Sequence, residues 1–128
     1  LDMIGEMRTA TLLAKGIAKS AAAVPAGTIL QSATIGGATA LGLANEIGTI
    51  NIGKAADLTA IDLNRIATQP CYDPISQIVF ASSRDQVTDV WIAGNQLLKG
   101  GKLIGTNVND LISSANHWME IIGGNDDK

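Results

Sequence analysis

Residues Gly48 to Ala55 read GTINIGKA: Gly, four residues, Gly, Lys. That spacing belongs to loops whose backbone N–H groups cradle phosphates, with the Lys reaching the outer phosphates. The chemistry also needs a buried strand before the loop, a helix N-terminus after it, and a Ser or Thr hydroxyl after the Lys to hold Mg²⁺. Position 55 is Ala, which has no hydroxyl. The order of elements is also reversed, because a helix end precedes Gly48 and a short strand, Leu58 to Asp62, follows Lys54. The segment is therefore expected to be a turn that leads into a sheet. Gly48 and Gly53 supply the tight or positive-φ positions, Lys54 lies exposed in the turn, and Asp57 ties down backbone amides.

Other chemistry-bearing residues are sparse. His117 is the sole histidine, and it has no HxH or HExxH neighbour. A lone His on a helix suits a surface or rim position better than a metal site, which requires clustered ligands. Cys71, the sole cysteine, excludes an internal disulfide and a cysteine-cluster zinc site. With no base identifiable nearby it reads as a packed loop thiol. Asp57 and Asp62 bracket a strand at an odd offset, so they point to opposite faces rather than forming an acid pair. Each is expected to accept backbone hydrogen bonds in its own flanking turn. Arg84, Asp85 and Asp89 read as solvated positions beside a strand, and Trp91 and Trp118 as core or interface packing. No nucleophile, base and orienting group can be assembled.

The elements that would carry these residues follow from periodicity. Leu1 to about Lys19 reads as a helix, with Met3, Ile4, Met7, Ala10, Ala14 and Ile17 on one stripe and Leu13 widening it. Glu6 and Arg8 lie off that stripe. Pro25 suits the first turn of the next helix, with Ile29, Leu30 and Ala33 on its apolar face. Thr34 is placed to cap a second short helix running to about Leu41. Gly36 and Gly37 near its start suggest close backbone approach. Asp73 before Pro74 marks another helix start, with Ile75, Ile78, Val79 and Ala81 as its apolar face. Val87 to Ile92 and Gln96 to Leu98 form a hairpin about Gly94-Asn95, and Gly100-Gly101 turns into Lys102-Leu103. A last helix, capped by Asn107 or Asn109, carries Leu111, Ile112, Ala115, Trp118, Met119 and Ile122 and ends at Gly123. The NDDK terminus reads as a solvated tail.

Composition bounds the function. The chain has 128 residues, 46% hydrophobic and 16% charged, which supports a sizeable core. Only 3% of residues are aromatic, so that core must be built from Ala, Ile, Leu and Val. A net charge of −3 gives no electrostatic reason to expect nucleic acid or an anionic membrane as partner. No secretory leader and no membrane-spanning run is visible, and a reducing cytoplasm fits one free thiol. The chain begins without Met and within an amphipathic pattern, so it is expected to be part of something longer.

The stretch Ala33 to Asp62, ATIGGATALGLANEIGTINIGKAADLTAID, closely resembles the C-terminal signature of the amidohydrolase superfamily. In that signature a helix of pattern A-T-x-x-G-A-x-x-L-G leads to I-G-x-I-x-x-G-K-x-A-D-L and a strand. The matching positions are Ala33, Thr34, Gly37, Ala38, Leu41, Gly42, Ile47, Gly48, Ile50, Gly53, Lys54, Ala56, Asp57 and Leu58. VTDVWIAGNQLLKGGKL is similar to the hairpin that follows in the family, and LDMIGEMRTATLLAK to the helix after its last barrel strand. The similarity covers about residues 1–105. It is strongest to the branch holding methylthioadenosine/adenosylhomocysteine deaminases, chlorohydrolases, and guanine or cytosine deaminases.

The resemblance implies an α/β fragment of a larger enzyme. Residues 1–45 would be the terminal helices of a TIM-like (β/α)8 barrel. Residues 46–128 would be the C-terminal half of a small composite β-sandwich, with flanking helices and a C-terminal helix. It further implies a parent that is a metal-dependent hydrolase, using zinc or iron to deaminate or dechlorinate a purine- or heterocycle-type substrate. The family's ligands are an HxH pair, two later His and an Asp upstream of Leu1. None maps onto this chain, so no catalytic, cofactor-binding or metal residue is assigned. The implied partners are the remaining barrel portion and further copies in a homo-oligomer, with no nucleic acid or membrane. The alternative is a free-standing, non-catalytic remnant acting as an oligomerisation or interaction module.

Overall fold

A computed structural model describes residues 2–123, so the expectation for the NDDK tail lies outside the described residues. Helix α1 (Met3–Ala18) opens the chain. Asp2 caps it by accepting the Gly5 N–H at 2.9 Å, which satisfies one of the orphan donors of the first turn. Its buried residues are Ile4, Met7 and Thr11. The expected stripe was wider, but Met3, Leu13 and Ile17 are exposed. The reason is coverage: neighbouring helices pack only on the face centred on Ile4 and Met7, and nothing in the described chain lies over the rest.

The second helical segment departs from expectation. Helix α2 (Ala26–Gln31) does not end before Thr34 but widens into a π turn, Ser32–Gly36, and continues as α3 (Gly37–Ala40). Pro25 stands at the N-cap. Thr34 is not a cap; its hydroxyl donates to the Leu30 carbonyl one turn back, at 2.8 Å. The close approach expected at the glycine pair is present, because a Cβ at Gly36 would sit 3.1 Å from the Gln31 carbonyl oxygen.

A four-stranded antiparallel sheet follows, in the order β1 (Leu58–Ile61), β2 (Val87–Ile92), β3 (Asn95–Lys99), β4 (Lys102–Leu103). Leu58 pairs with Trp91 and Ala60 with Asp89, with a bulge before Ile61 meets Val87. β1 has a sheet neighbour on one side only. The hairpin turn sits one residue earlier than expected. Ile92 pairs with Asn95, so Ala93 and Gly94 are the central residues, at φ 48° and 78°. Positive φ at both places is the type I′ arrangement, whose twist matches that of the strands.

Helix α4 (Pro74–Phe80) packs against α1 and α2. Asp73 caps it as expected, accepting from Ile75 and Ser76 N–H, with Pro74 in the first turn. Its Val79 is fully buried and forms the core with Ile4, Met7 and Ala26, against which Ile29, Leu30, Ile61, Ile78 and Val87 pack. Helix α5 (Val108–Gly123) behaves differently. Asn107 accepts the Asn109 N–H at its start, yet every residue of this helix is exposed. Among the described residues no helix is long and apolar enough to cross a membrane.

Candidate functional site

The glycine turn is built as a joint between helix and sheet. After α3 the Leu43 N–H returns to the Ala38 carbonyl at 2.8 Å. Gly48, at φ 88°, then lies directly on the helix: a Cβ there would stand 2.8 Å from the Ala38 Cβ and 2.9 Å from the Ile35 Cα. Gly53, at φ 91°, faces open space. Lys54 is not exposed as expected. It is half-buried, and its ammonium donates to the Ala44 carbonyl and, at 3.1 Å, to the Ile47 carbonyl. The preceding helical turns leave these carbonyls without intrahelical partners, and the cation satisfies them. A lysine committed in this way, with a strand rather than a helix following, does not form a phosphate loop.

The aspartates are held apart. Asp57 does not bind its own flanking turn; its Oδ1 accepts the Ala93 N–H at 2.7 Å, locking β1 to the hairpin turn beyond β2. Asp62 does serve its own turn, accepting from the Asn64 N–H at 2.9 Å and from Arg65 at 3.1 Å. The Asn64 amide and then the Arg65 guanidinium hold its carboxyl below the usual carboxylate range. Asp62 N–H bonds to Gln86, just before β2, whereas Asp57 reaches Ala93, just after it. The two carboxylates therefore mark opposite ends of the strand and cannot act as an acid pair.

Asp89 is also not the solvated position expected. It is half-buried and accepts from the Gln96 side chain at 2.9 Å and the Gly100 N–H at 3.3 Å, tying β2 to β3 and the following turn. Asp85 is exposed, its carboxyl held low chiefly by the Ser83 hydroxyl, and Arg84 is exposed beside it. Trp91 is half-buried in the sheet, but Trp118 is 61% exposed, with the His117 ring 6.3 Å away, and packs into no core among the described residues. Cys71 is a free, half-buried thiol.

The structure also uses residues that periodicity passed over. Arg8 donates to the Val79 carbonyl at 3.1 Å and to the Ser82 carbonyl, stapling α1 to the end of α4. Thr11, fully buried, donates to the Val24 carbonyl at 2.6 Å. Lys15 donates to the Ala23 carbonyl at 2.7 Å and approaches the Phe80 ring. The available signal was spacing: Thr11 is four residues after Met7 and Arg8 four after Ile4, on the turns that bury those side chains.

An open groove of about 940 Å³ lies between α1, the α2 π turn, the glycine turn and β1. Met3, Met7, Leu30, Ala33, Ile50 and Leu58 line it, with Asp2, Asp57 and Arg84 among its polar residues. Its volume lies in the range of small-molecule pockets, but such pockets also bring a few polar groups to one point. Here Asp2 caps a helix and Asp57 binds the hairpin turn. Ile50 in its lining and Ile52 two residues on are 87% and 107% exposed.

Comparison with known proteins places this architecture. The amidohydrolase family model matches residues 1–97. A 5-methylthioadenosine/S-adenosylhomocysteine deaminase of Teredinibacter turnerae is 39% identical over 123 residues, 96% of this chain and 28% of that protein. One of Syntrophobacter fumaroxidans is 35% identical, over 95% of this chain and 28% of that protein. The crystal structure of an adenosine deaminase from Xanthomonas campestris with bound zinc superposes with a TM-score of 0.93. It is 45% identical, covering 95% of this chain and 28% of that one. The zinc-complexed atrazine chlorohydrolase of Arthrobacter aurescens shares the fold, with a TM-score of 0.82 at 21% identity, over 89% of this chain and 25% of that one. The chain thus spans about 28% of the length of the curated relatives just described. Its own residues do not fit a zinc site: among those described, no group of three or more His, Cys, Asp or Glu is placed to hold a metal. An α/β arrangement of helices on an antiparallel sheet, superposing on zinc amidohydrolases, and a family match through most of its length together establish that this chain belongs to the amidohydrolase family.

Proposed function

We propose that these residues form the C-terminal scaffold of a metal-dependent amidohydrolase that hydrolytically deaminates a purine nucleoside, with methylthioadenosine- and adenosylhomocysteine-type substrates first in order. The observation that carries this reading is the similarity to methylthioadenosine/adenosylhomocysteine and adenosine deaminases, of which the chain spans about 28%, and the open apolar groove beside β1 suits a face that the rest of such an enzyme would cover. In this reading α1 and the α2–α3 helix close a TIM-like barrel, and β1 to β4 form half of a composite sandwich. The rest of the enzyme fills the groove and supplies the metal ligands. The chain's own residues position rather than react. Arg8 fixes α1 to α4, Lys54 and Gly48 fix the helix to the sheet, and Asp57 fixes the sheet's first turn. Dechlorination of a heterocycle is the variant suggested by the chlorohydrolase fold relative.

The test compares the complete reading frame that contains these residues with the 128-residue chain alone. Ammonia release from 5-methylthioadenosine, S-adenosylhomocysteine and adenosine is measured, together with metal content and native mass. The longer protein is expected to hold metal and release ammonia. The isolated chain should do neither, and should self-associate or bind the remaining segment when the two are co-expressed. A chain that stays monomeric at 13.2 kDa and ignores that segment would favour a free-standing module and overturn the proposal. Ammonia release by the chain alone would overturn it as well.

A further inference from the structure

We draw no further inference here: the strongest candidate, the exposed apolar face of helix α5 carrying Leu111, Ile112, Trp118 and Met119, carries nothing because nothing in the structure shows what covers it.

Discussion

Replacing Gly48 by Ala should damage this fold far more than the same change at Gly53, five residues on in the same turn. Both glycines have φ near +90°, so an added Cβ is strained at either place, at about 1–2 kcal/mol. Both substitutions also restrict the unfolded chain similarly, which offsets part of that cost, by about 0.4–1 kcal/mol. These terms cancel in the comparison. What differs is space: the new Cβ meets nothing within 4 Å at Gly53, but lies 2.8 Å from the Ala38 Cβ and 2.9 Å from the Ile35 Cα at Gly48. The Ile35 contact is helix backbone, which cannot rotate away as a flexible side chain can. Overpacking of this kind costs about 1–3 kcal/mol. The Gly48→Ala variant should therefore melt roughly 4–12 °C below Gly53→Ala, at about 4 °C per kcal/mol for a chain of this length. Thermal unfolding of the 128-residue chain, followed by far-UV circular dichroism, reads the difference directly. Equal melting temperatures for the two variants would refute the close contact between turn and helix.

Other predictions address the remaining fastenings. Lys54→Met keeps the aliphatic stem but leaves the Ala44 and Ile47 carbonyls without their cation; a loss of about 1–2 kcal/mol is expected in urea titration, and ATP with Mg²⁺ should not shift the melting of the unsubstituted protein. Arg8→Lys should not substitute for the guanidinium, since one ammonium cannot reproduce the fork that spans the Val79 and Ser82 carbonyls; the expected loss is about 1–3 kcal/mol. For Asp73, the Ser76 hydroxyl and then the Ser76 and Ile75 amides lower the carboxyl below its ordinary value of 3.8. A depressed folded pKa means that the unfolded chain binds the proton first, so the stabilisation is full above pH 3.8 and fades as pH falls through the folded value. The gap in urea midpoint between the native sequence and Asp73→Ala should accordingly narrow below that pH; a gap that widens would contradict the capping geometry.

Much of this fold was legible because local chemistry specified it. Asp73-Pro74 announced a helix start, and α4 begins there. The alternation from Val87 to Ile92 and the glycines after it announced the hairpin. Errors arose where a side chain served a partner distant in sequence. Asp57 contacts Ala93 and Asp89 contacts Gly100, pairs visible only once the strands are in register. Lys54 looked like a surface lysine because its acceptors, at Ala44 and Ile47, are gathered by the fold of the turn. Thr34 looked like a cap because Thr with glycines nearby ordinarily interrupts a helix, whereas here a widened turn absorbs them.

The widened turn at Ser32–Gly36 has a consequence for how this segment tolerates changes in length. In a regular helix each residue advances by about 100°, so an i to i+5 turn holds one residue more than the α-helical spacing and offsets everything after it. The Gly37 N–H reaches back to Ser32 across that turn. Upstream of it, Ile29 and Leu30 face the core; downstream, Ala38 faces Gly48. Deleting one residue here would restore an unbroken α-helix and would be harmless to its hydrogen bonding. It would also leave Ala38 close to the face it now occupies, because the widened turn already carries that extra residue, whereas straightening the turn with no deletion would swing Ala38 about a quarter of the way around the axis, away from Gly48. The segment therefore works as a phase adjuster: the widened turn takes up one residue while Ala38 stays against Gly48.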